Sequence, residues 1–366
     1  MLKSNYSSIE TIIKIAKKGG MFILVDDEKR ENEGDLVIST SDTNSKNINF
    51  MAKFGRGLIC LALDSLQAKR LNLSLMSPIN QSRNKTAFTI SIEAKKGITT
   101  GISAKDRART IRIASKKNVN KKDIVSPGHV FPIIAKDGGV LVRAGHTEAS
   151  VDISKLAKKN NSAVICEIMN EDGTMAIGQD LFNFANKHKL KIGTIEDLIK
   201  YKIANEKTIK RISEEMISTE YGEFRCIFYE DTLTSLIHFV LIKNQIDSSS
   251  PTTVRVHVQN VLTDTIRSTN LSTWPLESAL KKISKSKQGA MVFITDNLST
   301  NHINYLKTTK SRPIRNSKKA DDYRTVGIGA QILSDIGVKD MILLSTPKVY
   351  HGINAFGLNV IKYISK

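Results

Sequence analysis

Met21-Phe22-Ile23-Leu24-Val25-Asp26-Asp27-Glu28-Lys29-Arg30-Glu31-Asn32-Glu33-Gly34-Asp35 runs from five apolar residues into six carboxylates within ten positions. The apolar run reads as a buried strand, so the acidic segment should leave the carboxyl end of a sheet, where ligand sites collect. Two carboxylates brought to about 4 Å repel by roughly 4 kcal/mol at an effective dielectric near 20, unless a cation or a proton lies between them. An oxygen-rich site of this kind suits magnesium or manganese, which take one or two protein ligands and keep waters or substrate oxygens. A solvated acidic turn beside Lys29 and Arg30 accounts for the same composition, and the choice rests on residues further along the chain.

Elements alternate around this segment. Residues 5–18 place Ile9, Ile12, Ile13, Ile15 and Ala16 at helical spacing, and Gly19-Gly20 ends the run. Residues 47–53 and 66–71 read as helices and Gly57–Leu63 as a second buried strand. The fold class is therefore α/β (α+β), with mixed sheets flanked by helices. A chain of 366 residues accommodates two domains, expected at 1–204 and 205–366.

Hydrophobic and charged contents of 40% and 25% are globular values. No apolar run reaches the roughly 18–20 residues needed to span a bilayer, and Met1–Gly20 lacks a signal-peptide cleavage pattern, so a cytoplasmic protein with no membrane partner is expected. Cys60, Cys166 and Cys226 are odd in number and far apart, which fits a reducing compartment and offers no thiol pair to zinc. The net charge of +19 is spread over both halves, mostly as lysine, with 6% aromatic residues. That pattern argues against a nucleic-acid partner, while the field favours anionic small substrates.

Three further stretches of the first half carry chemistry. Gly97–Arg107 gathers hydroxyls and glycines ahead of a helix bearing Arg107, Arg109 and Arg112, where a phosphate or an ordinary helix cap would sit. In Ser126–Pro132, His129 occupies a Pro-Gly turn in which it can titrate. Next, Arg143 and His146 flank Gly145 just past an expected strand at 140–142, with a helix opening near Thr147: Arg143 can pair with a phosphate, Thr147 and nearby amides can complete its cradle, and a neutral His146 can ligate metal. Ala163–Met169 is strand-like with Glu167 inside it, a carboxylate that is either solvent-facing at a strand end or an acid or base.

Taken together, the acidic segment 26–35, Cys60, Thr99–Arg107, Pro127–Pro132, Arg143–Ala149 and Cys166-Glu167 resemble 3,4-dihydroxy-2-butanone 4-phosphate synthase over about residues 5–201; Ala144 stands where glycine is common. The resemblance implies conversion of ribulose 5-phosphate to 3,4-dihydroxy-2-butanone 4-phosphate and formate by a homodimer with a divalent metal, Mg2+ or Mn2+. Carried over by motif, Glu31 and His146 hold the metal. Arg30, Glu31, Asp35, Arg143, Ala144, Gly145, His146, Thr147 and Glu167 bind substrate, and His129 and Glu167 are catalytic.

Beyond a Lys/Glu-rich helix expected at about 203–217, Thr219–Phe224, Val254–His257 and Gly327–Leu333 resemble GTP cyclohydrolase II. That family holds zinc with three cysteines, whereas Asn260 and, approximately, Leu271 and Thr273 stand at those positions here. The nucleotide-binding run is replaced by Ile294–Ser299, and only Asp322 and Arg324 survive of the later pair. Without the thiolates no zinc is expected, and the second half is expected to be cyclohydrolase-inactive, serving structure, regulation or docking of other riboflavin-pathway enzymes.

Overall fold

The hairpin that carries the acidic segment lies inside a seven-stranded mixed sheet of the computed structural model. The structure describes residues 6–26, 31–82, 84–259, 264–265, 274–295, 318–347 and 353–365, without the side chains of 318–323. The chain divides into two compact units, Met1–Tyr201 and Lys202–Lys366.

In the first unit, Ser8 caps α1 (Ile9–Lys17) by accepting the Thr11 amide at 3.4 Å, and Ile9, Ile12 and Ala16 form its buried face. The strands are β1 (Phe22–Val25), β2 (Gly34–Ser39), β3 (Cys60–Leu63), β4 (Ile92–Ala94), β5 (Ile124–Ile134), β6 (Ser162–Glu167) and β7 (Ile192–Thr194), ordered β4-β5-β3-β6-β2-β1-β7. The pairs β1–β2, β2–β6, β3–β6 and β4–β5 are antiparallel, and β1–β7 and β3–β5 parallel. Both β1 and β2 are buried along their whole length, and β1, Phe22–Val25, accordingly reads as a continuous apolar run. Helices α2 (Ser45–Phe50), α3 (Ser65–Arg70), α4 (Ala104–Ala114), α5 (His146–Leu156), α6 (Gln179–His188) and α7 (Ile195–Asn205) complete the unit, α7 running past its boundary. All of α5 from His146 to Ser154 is buried.

The second unit is a sheet ordered β14-β13-β11-β12-β10-β9-β8, with β8 (Ile209–Thr219), β9 (Gly222–Asp231), β10 (Ile237–Lys243), β11 (Thr252–Val258), β12 (Gly289–Ile294), β13 (Asp340–Leu344) and β14 (Asn359–Ile364). Its two faces bury separate apolar clusters, one around Tyr229, Val240 and Ile332 and one around Phe224, Met291 and Ile283. Ile283 belongs to α8 (Leu276–Ser284) and Ile332 to α9 (Lys318–Asp335).

Three local expectations are corrected. The helix expected at 203–217 ends at Asn205, and β8 follows: Ile209, Ile212, Ile217 and Thr219 favour a strand, and a hairpin into β9 supplies its ladder. His129 lies on β5, not in a turn. The run 140–142 is no strand, because Gly138 and Gly139, at φ 89° and 64°, turn the chain into a short 3-10 segment, Gly139–Leu141.

Candidate active site

Asp26, the first residue past β1, turns inward and is buried. Its carboxylate accepts the amides of Glu31 at 3.2 Å and Glu33 at 3.0 Å, closing the β1–β2 connection. Arg30 lies outside the described residues. Glu31 Oε1 accepts from Asn84 Nδ2, and Glu31 Oε2 is 3.9 Å from His146 Nδ1. His146 opens α5 behind Gly145, and its ring is 7% exposed. On its other side, Nε2 lies 3.9 Å from Asp35 Oδ1 and has no hydrogen-bond partner among the described residues. A buried polar nitrogen without a partner is costly, and here it sits among carboxylates. Asp26, Glu31 and His146 each present a ligand atom within 4.8 Å of the others. This mixed oxygen and imidazole set fits a divalent cation.

Sheet register brings the other carboxylates to the same place. Asp35 on β2 pairs directly with Glu167, the last residue of β6. Burial pushes the Asp35 carboxyl up to about 7; His146 opposes the rise, and Glu167, Glu31 and Glu33 add to it. Glu33 is raised as well, by burial first and then by Glu31. Half-buried Glu167 accepts the Leu58 amide through Oε2 at 2.8 Å. Gly57 makes this approach possible, since a Cβ there would stand 2.6 Å from the same oxygen. Below, burial raises the thiols of Cys60 and Cys166, which stay protonated.

At the start of α5, Arg143 Nη1 donates to Glu148 Oε2 at 2.6 Å, and Nη2 to the Asn84 carbonyl at 3.0 Å and Thr86 Oγ1 at 3.3 Å. Arg143 thus already has partners, and Glu148 is 1% exposed. Gly145 is required between them, because a Cβ would stand 2.3 Å from Arg143 Nη1. Ala144 is half-buried and Thr147 buried. His129 pairs with Glu93 of β4. The Thr99–Arg107 segment is an ordinary cap: Asp106 accepts Thr99 Oγ1 at 2.7 Å and the Thr99 and Gly101 amides, and Ser103 caps α4.

Asp26 and Glu33 stand in the acidic run that the sequence exposes, though no role was attached to them individually. Asn84 and Glu93 carry no sequence signal, lying 53 and 36 residues from their partners. In the second unit Arg324 is held by Asp231 and by Thr234 Oγ1. His257 Nε2 is 2.8 Å from Asp264 Oδ2. Asn260, Leu271, Thr273, Asp296–Ser299 and the Asp322 side chain lie outside the described residues. No helix among the described residues is long and apolar enough to cross a membrane.

The family model for 3,4-dihydroxy-2-butanone 4-phosphate synthase matches residues 10–201, and that for GTP cyclohydrolase II matches residues 210–365. A 3,4-dihydroxy-2-butanone 4-phosphate synthase of Photobacterium phosphoreum is 46% identical, covering 98% of this chain and 99% of its own. The crystal structure of a two-domain 3,4-dihydroxy-2-butanone 4-phosphate synthase from A. baumannii is 39% identical at a TM-score of 0.83, covering 98% of this chain and 100% of that one. A structure of the synthase in complex with two magnesium ions is 36% identical at a TM-score of 0.53, over 55% of this chain and 99% of that one. The chain belongs to the 3,4-dihydroxy-2-butanone 4-phosphate synthase family, an enzyme of riboflavin biosynthesis whose synthase domain is followed by a GTP cyclohydrolase II domain.

Proposed function

We propose that residues 1–204 convert D-ribulose 5-phosphate to L-3,4-dihydroxy-2-butanone 4-phosphate and formate with a divalent cation, Mg2+ or Mn2+, held by Glu31 and His146. The observation that carries this reading is the buried His146 ring between the Glu31 and Asp35 carboxylates, Nδ1 lying 3.9 Å from the first and Nε2 3.9 Å from the second, with Nε2 lacking a hydrogen-bond partner among the described residues. The magnesium complex of the related synthase agrees with the choice of ion. A divalent cation held there would supply Lewis-acid stabilisation of negative charge on substrate oxygens.

The chain's own groups supply the rest. Glu31 and Asp35 face the substrate from the hairpin, Arg30 binds it as the resemblance implies, and Arg143, Ala144, Gly145 and Thr147 surround the start of α5, where backbone amides favour a phosphate. Loss of water, migration of a carbon and release of formate require proton transfer in both directions. Glu167, with Asp35 beside it in the sheet register, and His129 in its pair with Glu93 serve this. In this reading the unit acts as a homodimer, as the resemblance implies. Incubation with ribulose 5-phosphate and magnesium, with and without a chelator, tests the reading: chelator-sensitive formate release supports it, and chelator-insensitive or absent release defeats it.

Residues 205–366 form a folded domain without cyclohydrolase activity, acting in structure, regulation or docking. Its lack of cysteines at 260, 271 and 273 supports this, since attack of water on a purine ring requires an activating metal. The family match favours residual GTP cyclohydrolase II activity as a second reading; stoichiometric zinc with GTP-dependent formate release would establish it.

A further inference from the structure

Among the described residues the strand β8 is an edge of the second sheet, bonded to β9 on one side only. Lys210 through Met216 are exposed without interruption, and Ile212 and Met216 are 52% and 65% exposed. A long open edge with apolar side chains is a template for another strand, and charge is a common protection against it.

Here the charge has an order. Lys210-Arg211-Ile212-Ser213-Glu214-Glu215 places two cations, two uncharged residues and two anions in sequence. Turned antiparallel against itself about a point between Ile212 and Ser213, this stretch sets Lys210 opposite Glu215, Arg211 opposite Glu214 and Ile209 opposite Met216. In a regular strand that register is forbidden, because residues three or five apart point to opposite faces while antiparallel partners share one. The bulge in β8 removes the obstacle. Arg211 pairs with Tyr229 and Ser213 with Phe228, so the register skips at Ile212. Arg211 and Glu214 consequently share the face of Tyr229 and Ile227, and Lys210 and Glu215 share the face of Glu230 and Cys226. Arg211 and Glu214 neutralise each other at 3.2 Å, whereas Lys210 and Glu215 make no ion pair among the described residues.

We propose that β8 pairs antiparallel with β8 of a second copy of this chain, in the register that sets Lys210 against Glu215, continuing the sheet across a two-fold axis. This contact does not rest on the synthase reading and is separate from any pairing of the first unit.

The full-length double variant Lys210→Cys/Glu215→Cys tests it. Antiparallel partners have Cα atoms about 4.5–5.5 Å apart, inside the range a disulfide bridges. Within one strand, five residues at about 3.3 Å each span roughly 16 Å, so no disulfide can close inside a chain. The native cysteines are buried. Under mild oxidation the double variant should migrate as a covalent dimer on a non-reducing gel, as should an equimolar mixture of the two single variants, whereas each single variant alone should not. A double variant that stays uncrosslinked, with wild-type circular dichroism and synthase turnover, overturns the pairing. Single variants that crosslink as fully as the double overturn the register.

Discussion

Replacing Gly57 by alanine should disable the site without touching any group in it. An added Cβ would lie 2.6 Å from Glu167 Oε2 and 2.5 Å from the Glu167 carbonyl, against 3.4 Å for ordinary contact. The carboxylate must then withdraw by about 0.8 Å, and displacement of a reacting group by roughly 1 Å lowers turnover on the order of 100-fold. Withdrawal also breaks the Leu58 amide bond to Glu167, a bond to a charged group contributing about 1.5–3 kcal/mol. Gly55→Ala is the matched control: its Cβ would press on Cys166 Sγ and Leu36 Cδ1 at 3.0 Å and only graze the Glu167 carbonyl at 3.3 Å, farther from the Glu167 side chain than from any of these. Both variants should lose about 1–3 kcal/mol in denaturant melts through overpacking. In steady-state formate release, Gly57→Ala should lose about 100-fold in kcat while Gly55→Ala stays near wild type. Wild-type kcat in Gly57→Ala, or equal losses in both, would refute the reasoning.

Three other outcomes are expected. His146→Ala should weaken Mn2+ binding in calorimetry by on the order of 100-fold, since even partners of a ligand matter 10–100-fold; unchanged affinity places the ion elsewhere. Glu148→Ala removes the buried partner of Arg143, whose guanidinium keeps the Asn84 carbonyl and Thr86 Oγ1, and should destabilise the first unit by about 1.5–3 kcal/mol in denaturant, an effect below about 0.5 kcal/mol showing that the pair is solvated. In the second unit burial opposes ionisation of Asp335, yet donors from Tyr229 at 2.8 Å, Arg211 at 3.0 Å and Lys207 at 3.2 Å hold its carboxyl below the usual range. A lowered folded-state pKa contributes stability above the unfolded value of about 3.9 and loses it as pH falls through the folded value. The denaturant midpoint of this unit should therefore fall below about pH 4, and Asp335→Asn should flatten that fall; identical slopes would contradict the assignment.

The parts of the site that the sequence reveals are those whose chemistry is conspicuous locally. Six carboxylates after a buried strand, and a histidine behind a glycine at a helix start, needed no tertiary knowledge, and Gly145 and His146 stand where the spacing places them. The bland reading of Thr99–Arg107 as a cap is the one that the Asp106 hydrogen bonds support. What stayed hidden depends on strand register and distant partners. Asp35 sits beside Glu167 only because β2 pairs β6, and Glu93 reaches His129 only because β4 pairs β5. Local pattern misled at β8, where lysines and glutamates imitate a helical surface: no buried face marks the strand, because most of it is exposed. It misled again at 140–142, where two glycines with positive φ outweigh the apolar run Val140-Leu141-Val142.

Anomalous diffraction from crystals grown with Mn2+ and ribulose 5-phosphate bears most directly on the whole account. One ion should appear roughly 2.0–2.3 Å from a Glu31 carboxylate oxygen and a His146 ring nitrogen, with substrate oxygens completing its shell. An ion bound elsewhere, or Glu31 and His146 turned toward different cavities, would contradict it.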